Sequence, residues 1–543
     1  MAGSATQNIA QFKRVKAKRL PWDDRFQEVS DIASPERQFN VEVSPGERRR
    51  LQMFSKTMEL SKIFLAGALH GQFTNPSIVW MGLRLQNMRP GIEISEEEQH
   101  EAKIWLKKTT DRMLALFNSP GTGFGTAMHE LWLDEISVSV GIILIHDETG
   151  KPIRYQAKSL SDCYLVADHM CRVIGLYCVF KMTAAEVVTK WPKTASQATR
   201  DLAKDGSTSW KEVDVLHYMF ERNERDPERS DGPNKPWGSI YDEIDEETRL
   251  SEGGFDHQPW VSPRWSKLSG NVYGGSPCMS AMEEAKALNV IVKTVLIGGE
   301  MAVAPPRFVD TNGIDGPMSM RPHGIIRTRT GSRVDPVRKA DLSGKVEFGV
   351  EIMQLWESKI KEFFFIDLLQ LPLLDRMTAT EVIARQQQQL RVLSPILSRQ
   401  YEELLTPLID STYKIMLKRG DIDKPPDAVK RIGIEIDYVS PLALSQKSSE
   451  SQGFLQAMQV ATPLIQTDET VMKNIKADKT FRSIFLDMFN VNPEFLHSPD
   501  EMIAIREQEA KENQEAKQAQ LAQVGASAFR DSAAGIKDVN RAG

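Results

Sequence analysis

Cysteine is scarce in this chain, with four in 543 residues, and Cys163, Cys171, Cys178 and Cys278 show no C-x-x-C spacing. That pattern indicates neither a zinc site nor a disulfide framework, and a reducing compartment is the simplest expectation. No run of about 18 apolar residues occurs, so no spanning helix is expected, and the N-terminus lacks the apolar core of a signal peptide. Nine scattered histidines form no His-x-x-x-His pair. The phosphate-loop pattern G-x-x-x-x-G-K-[ST] is missing, so ATP hydrolysis by this chain is not indicated. A net charge of -6 gives no general reason to bind nucleic acid. These absences argue against an enzyme, and no cofactor or metal is expected.

Features that superficially suggest chemistry have plainer readings. Gly121-Thr-Gly-Phe-Gly125 lacks a clear preceding strand and reads as a loop. The acidic runs Asp134-Glu135, Asp242-Glu243 and Asp245-Glu246-Glu247 read as solvated loop or helix ends. His129 and His217 lie in apolar neighbourhoods and read as packing residues.

What the chain does have is length enough for three or four domains and an unusual stretch from Ser276 to Gly420. Met282, Ala285, Leu288, Val292, Val295 and Leu296 recur at spacings of three and four, predicting one buried face on a helix over 279–304. About 26 residues span roughly 40 Å of helix. Pro305-Pro306 ends it. Between Pro305 and Lys345 eight basic residues face four acidic ones, a local +4 in a chain of -6. A second helix, 346–370, carries Phe348, Ile352, Leu355, Trp356, Ile360, Phe363 and Phe364 and is expected to pack on much of its surface. A capping box at Thr378 and Glu381 starts a long helix reaching about Lys418, with kinks expected at Pro395 and Pro407.

Residues 1–44 read as a basic arm, with Lys13, Arg14, Lys16, Lys18 and Arg19 ending at Pro21-Trp22; it is either a solvated terminus or a contact to nucleic acid or a partner. A helix start follows at Ser44-Pro45, with Leu51, Phe54 and Met58 on it, and another helix runs from Ser95, capped by Glu98, to Asn118. A third follows Gly125. Period-two stretches predict strands at 136–145, 155–160, 163–167, 173–182 and 213–221, with 241–247 and 260–268 completing a mixed domain. Thr183 and Glu186 cap a short helix between them. Helical patterns over 446–465, 471–489 and 498–523 precede a Gln- and Ala-rich end expected to be disordered from 524 to 543. The class is α+β, mainly helical.

Four segments, in order, resemble the head-to-tail connector (portal) proteins of short-tailed bacteriophages. They are Leu65 to Leu83 with its Thr-Asn-Pro-Ser, Tyr273-Gly-Gly-Ser-Pro277, Arg376-Met-Thr-Ala-Thr-Glu-Val382 and Tyr438-Val-Ser-Pro-Leu-Ala443. Gly275 stands where an arginine is common, and Trp80-Met81 replaces the usual Trp-Phe. The resemblance implies a ring, usually of twelve subunits, at one capsid vertex. It implies a wing over 45–278, stem helices over 279–304 and 346–370, and a clip over 305–345. A channel loop and long wing helix would occupy 371–440, and a crown 441–523. It further implies passage of double-stranded DNA, docking of the terminase motor and of tail adaptor or nozzle proteins, and contact with the major capsid and scaffold or internal core proteins. Its place would be the virion, after assembly in the host cytoplasm, with no membrane.

On that reading Arg307, Arg321, Arg327, Arg329, Arg333, Arg338 and Lys339 are clip residues for docking or for contact near DNA, and Lys359, Lys361 and Arg376 are channel candidates. Lys359 and Lys361 otherwise pair with Glu357 and Glu362 or are solvated. A conduit needs weak, sequence-blind contact with phosphates, so the +4 segment reads better as a joint between proteins than as a DNA grip. Two alternatives stay open on sequence: another virion ring such as a tail adaptor, and a nucleic-acid-processing enzyme that uses the basic segment.

Overall fold

The computed structural model describes residues 4–35, 39, 53–86, 95–148, 150–226, 228–229, 231–303, 307–309, 337–339, 346–369, 394–438, 481, 496–497, 501–502 and 504–514. The chain divides into two compact units, Met1–Ile78 with Leu116–Ile415, and Val79–Ala115 with Met416–Gly543.

The first unit opens on α1 (Ala5–Ala33), where a continuous helix replaces the basic arm expected from sequence. Ser4 and Gln7 close a capping box at its start, and Pro21 sits inside it. Lys13, Arg14, Lys16 and Lys18 are exposed, but Arg19 is buried. Its guanidinium lies 3.7 Å above the Tyr164 ring, donates to Leu160 O at 2.7 Å and pairs with Asp23 at 2.6 Å. A buried cation needs such partners; Asp23 lies four residues on, but the Leu160 carbonyl comes from 141 residues away, which the linear charge run does not show.

Next in chain order come α2 (Thr57–Phe73), β1 (Met81–Leu85), α3 (Glu96–Phe117) and α4 (Phe124–Val138). Ser95 and Glu98 cap α3 reciprocally, as the sequence predicts. The helix start at Ser44 lies outside the described residues, and Phe54 precedes α2 rather than lying on it. The strand expected from Ile136 begins only at β2 (Ile143–His146), because Ile136 to Val138 finish α4. Strands β3 (Arg154–Ala157), β4 (Cys163–Ala167) and β5 (Val173–Thr183) follow. After α5 (Ala184–Lys190) and α6 (Gln197–Lys204) come β6 (Glu212–Glu221), β7 (Trp237–Glu243), β8 (Thr248–Phe255) and β9 (Trp260–Val261). Strand β8 escaped the sequence reading because Ser-Glu-Gly-Gly interrupts any apolar alternation.

Two antiparallel sheets result, β3-β2-β9 and β4-β5-β6-β7-β8. Helix α1 lays Ile9 and Phe12 on Tyr164, Tyr177 and Leu216 of the larger sheet. Ala184 and Val187 of α5 and Trp191 just after it cover Val213, Val215 and Leu250, with Leu202 and Ala203 of α6 packed beside them. The acidic pair Asp242-Glu243, expected to be solvated, is fully buried on β7. Asn8 donates to Asp242 at 2.6 Å and Arg249 pairs with it, while Glu243 accepts from Ser196 N and Thr199 Oγ1, both at 3.2 Å. Thus Asp242 ties α1 to the sheet and Glu243 fixes the start of α6, uses that need no metal.

The long helices follow: α7 (Pro277–Ser280), α8 (Met282–Val303), α9 (Val346–Phe363) and α10 (Ile366–Leu369). Between α8 and α9 a ribbon pairs β10 (Arg307–Val309) with β11 (Val337–Lys339). Helix α11 (394–400) leads through a π-helical turn, Tyr401–Leu405, into α12 (Thr406–Arg419). Pro407 cannot donate to the carbonyl of Glu403, and the widened turn accommodates that loss. The π turn stands next to Pro407, where a kink is expected; Pro395 lies on α11 among its first described residues.

In the second unit α13 (Asp427–Ile432) precedes β12 (Ile434–Tyr438), which pairs antiparallel with β1. Leu83 N donates to Thr110 Oγ1 at 3.1 Å, and Trp105 Nε1 to Asp423 O at 3.1 Å, so α3 braces the ribbon. Of the helices expected over 446–523, residues 504–514 form α14, and most of the rest lies outside the described residues.

Candidate functional site: the helix pair and its root

Tyr273-Gly-Gly-Ser-Pro277 roots the helix pair, and each of its residues has a distinct task. Tyr273 packs on Trp22 and Phe26 and accepts Leu165 N at 3.2 Å. A Cβ on Gly274 would lie 1.6 Å from Ser266 O, so only glycine fits there. Gly275 exchanges both backbone bonds with Ser266 Oγ, at 2.9 and 2.8 Å. Ser276 accepts from Met279 N as cap and donates to Ser137 O at 2.7 Å, pinning the helix start to α4. Pro277 fills the first helical position.

Behind the root lies a joint that the sequence did not reveal. Arg264 is buried and donates to Cys171 O at 3.0 Å and Val272 O at 3.3 Å. Its other edge forms a bidentate pair with Glu403, at 3.0 and 2.6 Å, inside the π turn. Arg399 donates to Trp265 O at 3.1 Å, Ser411 to Gln258 O at 2.9 Å, and Tyr155 meets Thr412 at 2.7 Å. Residues 394–415 are therefore stitched into the sheet domain rather than lying loose beside it.

Glu135, expected to be solvated, is fully buried on α4 and accepts from Gln400 of α11. Burial pushes its carboxyl well above the usual range, the Glu403 charge adds to that, and the Gln400 bond and Arg399 oppose it. Next to the root an open pocket of about 460 Å³ is walled by Trp265, Pro277, Phe363 and Phe365, with the Glu362 carboxylate at its side. Phe365 holds a φ of +55°, unusual for an aromatic residue, in the turn that separates α9, ending at Phe363, from α10.

Along α8 and α9 burial runs out with distance from the root. Met282, Ala285 and Leu288 are buried, as are Ile360 and Phe364. Farther along, Val290 is 63% exposed, Val303 88%, Phe348 60% and Leu355 56%, with Leu296, Ile297 and Met301 also open. The two helices pack on each other, and Gly349 allows this, since a Cβ there would meet Val295 at 2.8 Å. Within one chain the buried face expected for 279–304 extends only to Leu288, and the outer half of 346–370 is left exposed.

The predicted site residues separate accordingly. Register places Arg307 opposite Lys339 and Phe308 opposite Arg338, gathering three basic positions on six ribbon residues. Arg321, Arg327, Arg329, Arg333 and Arg376 lie outside the described residues, as does the Thr378 capping box. Lys359 and Lys361 are both exposed; the Lys359 ammonium lies 4.8 Å from the Trp356 ring. Among the described residues neither pairs with Glu357 or Glu362. Also among them, no group of three His, Cys, Asp or Glu is placed to hold a metal, and no helix is long and apolar enough to cross a membrane.

The site is thus a helix pair rooted in a sheet domain, with large apolar side chains left open along its outer half. The family model for the bacteriophage head to tail connecting protein matches residues 5–496, and the chain belongs to that family. It is 26% identical over 531 residues to the probable portal protein of Bordetella phage BPP-1, covering 95% of this chain and 93% of that one. To the portal protein of Salmonella phage epsilon15 it is 25% identical over 530 residues, with the same coverage. Two solved structures align more loosely, each at 11% identity: a native gene transfer agent virion at a TM-score of 0.28, over 74% of this chain and 86% of that one, and the neck of an empty particle at 0.32, over 73% and 84%. The portal reading of the sequence is confirmed at the level of the family.

Proposed function

We propose that copies of this chain close into a ring, twelve by the family resemblance, at one capsid vertex, with α8 and α9 as the stem around a channel for double-stranded DNA. The observation that carries this is the burial gradient. A lone soluble chain rarely exposes so many large apolar residues on one helix pair, and such a patch marks a surface covered by a partner. A heterologous contact between two different faces of the pair closes by rotation. Residues 45–278 then form the wing, 305–345 the clip, 371–440 the channel loop and wing helix, and 441–523 the crown.

The basic clip positions, Arg307, Arg338 and Lys339 with Arg321, Arg327, Arg329 and Arg333, serve as a docking collar for the packaging terminase and then the tail adaptor. Lys359, Lys361 and Arg376 face the channel, where contact with phosphate stays weak enough for DNA to move. The ring sits in the virion after assembly in the host cytoplasm, against the major capsid and scaffold or core proteins.

Mass photometry and electron microscopy of the purified chain test this: rings with a central hole of duplex width are expected. A folded chain that stays monomeric at micromolar concentration overturns it. Charge reversal at both Arg327 and Arg329 should leave rings intact and impair docking; lost rings would make these residues interface elements instead.

A further inference from the structure

Cys163 and Cys178 are direct cross-strand partners on β4 and β5, both buried, with their sulfurs 3.2 Å apart. Their pairing type follows from where the neighbouring backbone groups bond. Cys163 N donates to Leu160 O, and Cys163 O accepts from Arg19. Two residues on, Leu165 N donates to the Tyr273 hydroxyl. The backbone of Cys163 and Leu165 is thus turned away from β5, which makes Cys163 and Cys178 a non-hydrogen-bonded pair. Such pairs bring Cα atoms to about 4.5 Å, within the span that a disulfide bridges. Only a closure of the sulfurs to about 2.04 Å is then required.

We propose that Cys163 and Cys178 are a modification site, a thiol pair that a hydroperoxide or a small disulfide oxidises to a cross-strand disulfide. With hydrogen peroxide, one thiolate takes an oxygen and becomes a sulfenic acid as water leaves after protonation. The second sulfur attacks that sulfenic sulfur, the S–S bond forms, and a second water departs. Two thiols lose two electrons and two protons, and the peroxide is reduced to two waters. Burial and the neighbouring thiol push Cys163 well above the ordinary thiol range, so the reaction is slow and waits on local opening. Opening is available because β4 is a five-residue strand at the edge of its sheet.

The bond would fasten to the sheet body the very strand that Arg19 of α1 and Tyr273 of the helix root both grip. Neither Cys171, half-buried in the turn at Asp168–Arg172, nor Cys278, buried in α7, shares this register. The pair stays reduced where glutathione is reducing and closes where it is not. For a virion component, a role that rests on the connector reading above, release from the host is that change.

The test uses the full chain, purified under reductant, freed of it and treated with hydrogen peroxide or diamide below its melting temperature. Free thiols are then alkylated and the unreduced peptides mapped by mass spectrometry. A peptide joining Cys163 to Cys178, lighter by two hydrogens, is expected, with an upward melting shift of a few degrees that dithiothreitol reverses. Cys171→Ser should keep both effects, and Cys163→Ser should lose both. Because the wild-type comparison with and without reductant needs no variant, a poorly folding serine variant does not block the result. Thiols 163 and 178 that remain alkylatable while Cys171 oxidises, or a link through Cys171, would overturn the proposal. Neither result depends on whether rings form.

Discussion

Ile9 and Val290 are both aliphatic residues on long helices, yet Ile9 is fully buried and Val290 is 63% exposed. The core around Ile9 is closed within one chain, and a buried arginine and two buried acidic residues on β7 find their partners there too. The outer helix pair around Val290 is not closed. The difference separates two uses of the same chemistry: burial completed on folding serves the single chain, and burial left incomplete leaves an apolar surface of the kind that partners cover, which the proposed ring assigns to other copies. Changes in the sheet domain should cost the stability of the single chain, and changes in the outer helices should cost assembly alone.

The largest loss is expected at the joint. Arg264→Ala leaves the half-buried Glu403 without its partner and should cost about 3 kcal/mol, the lower end for a buried pair, read as a fall in the urea midpoint. Replacing both residues with apolar ones, Arg264→Met with Glu403→Leu, should recover much of it. A single variant as stable as wild type would mean that the π turn is not anchored there.

Acid is the next lever on the sheet domain. His217 is buried, stacks on Tyr241 at 3.9 Å and bonds Ser239 at 2.9 Å, and burial drives its pKa down to about 3. The unfolded chain takes up this proton near pH 6.5 and the folded chain does not. Stability from this group is therefore complete above pH 6.5 and lost as pH falls toward 3. Between pH 6.5 and 5 the loss is about 2 kcal/mol, seen as the difference in pH slope between wild type and His217→Gln. Equal slopes would show that the ring is already solvated.

Glu135 has the opposite sign. Its raised pKa means that the folded chain holds a proton that the unfolded chain releases, so its contribution is complete below the ordinary glutamate range and lost as pH rises. Glu135→Gln keeps the bond partner for Gln400 without the charge. The variant should match wild type in acid and melt progressively higher than it toward alkaline pH; a constant offset would rule out the proton.

How much of this contrast the sequence carried depends on how far apart the interacting residues lie. Caps are local, so Ser95 with Glu98 and Thr183 with Glu186 were legible and are present. Strand β4 was also read to the residue, because its apolar run is bounded by clear turns. Asp242 and Glu135, expected to be solvated, and Arg19, placed on a basic arm that was a solvated terminus or a partner contact, are buried instead, and the partners that hold them include groups 234, 265 and 141 residues away. The helix pair was legible as two apolar helices. Periodicity marks every apolar position alike, however, and does not tell a face buried by the same chain from one left for another.

That last distinction sets the smallest effect on the chain and the sharpest on assembly. Leu296 and Leu355 are 53% and 56% exposed, so changing either to glutamate removes little buried area and should alter the chain's own stability by less than about 0.5 kcal/mol. In a closed ring the same charge is repeated at every contact and desolvated against apolar neighbours, a cost that no rotation of the ring avoids. Leu296→Glu with Leu355→Glu should therefore melt like wild type and run as a monomer in mass photometry. Rings that survive both charges would place the subunit contact elsewhere, with the exposed Leu60, Ile63 and Phe64 of α2 as the next surface to change.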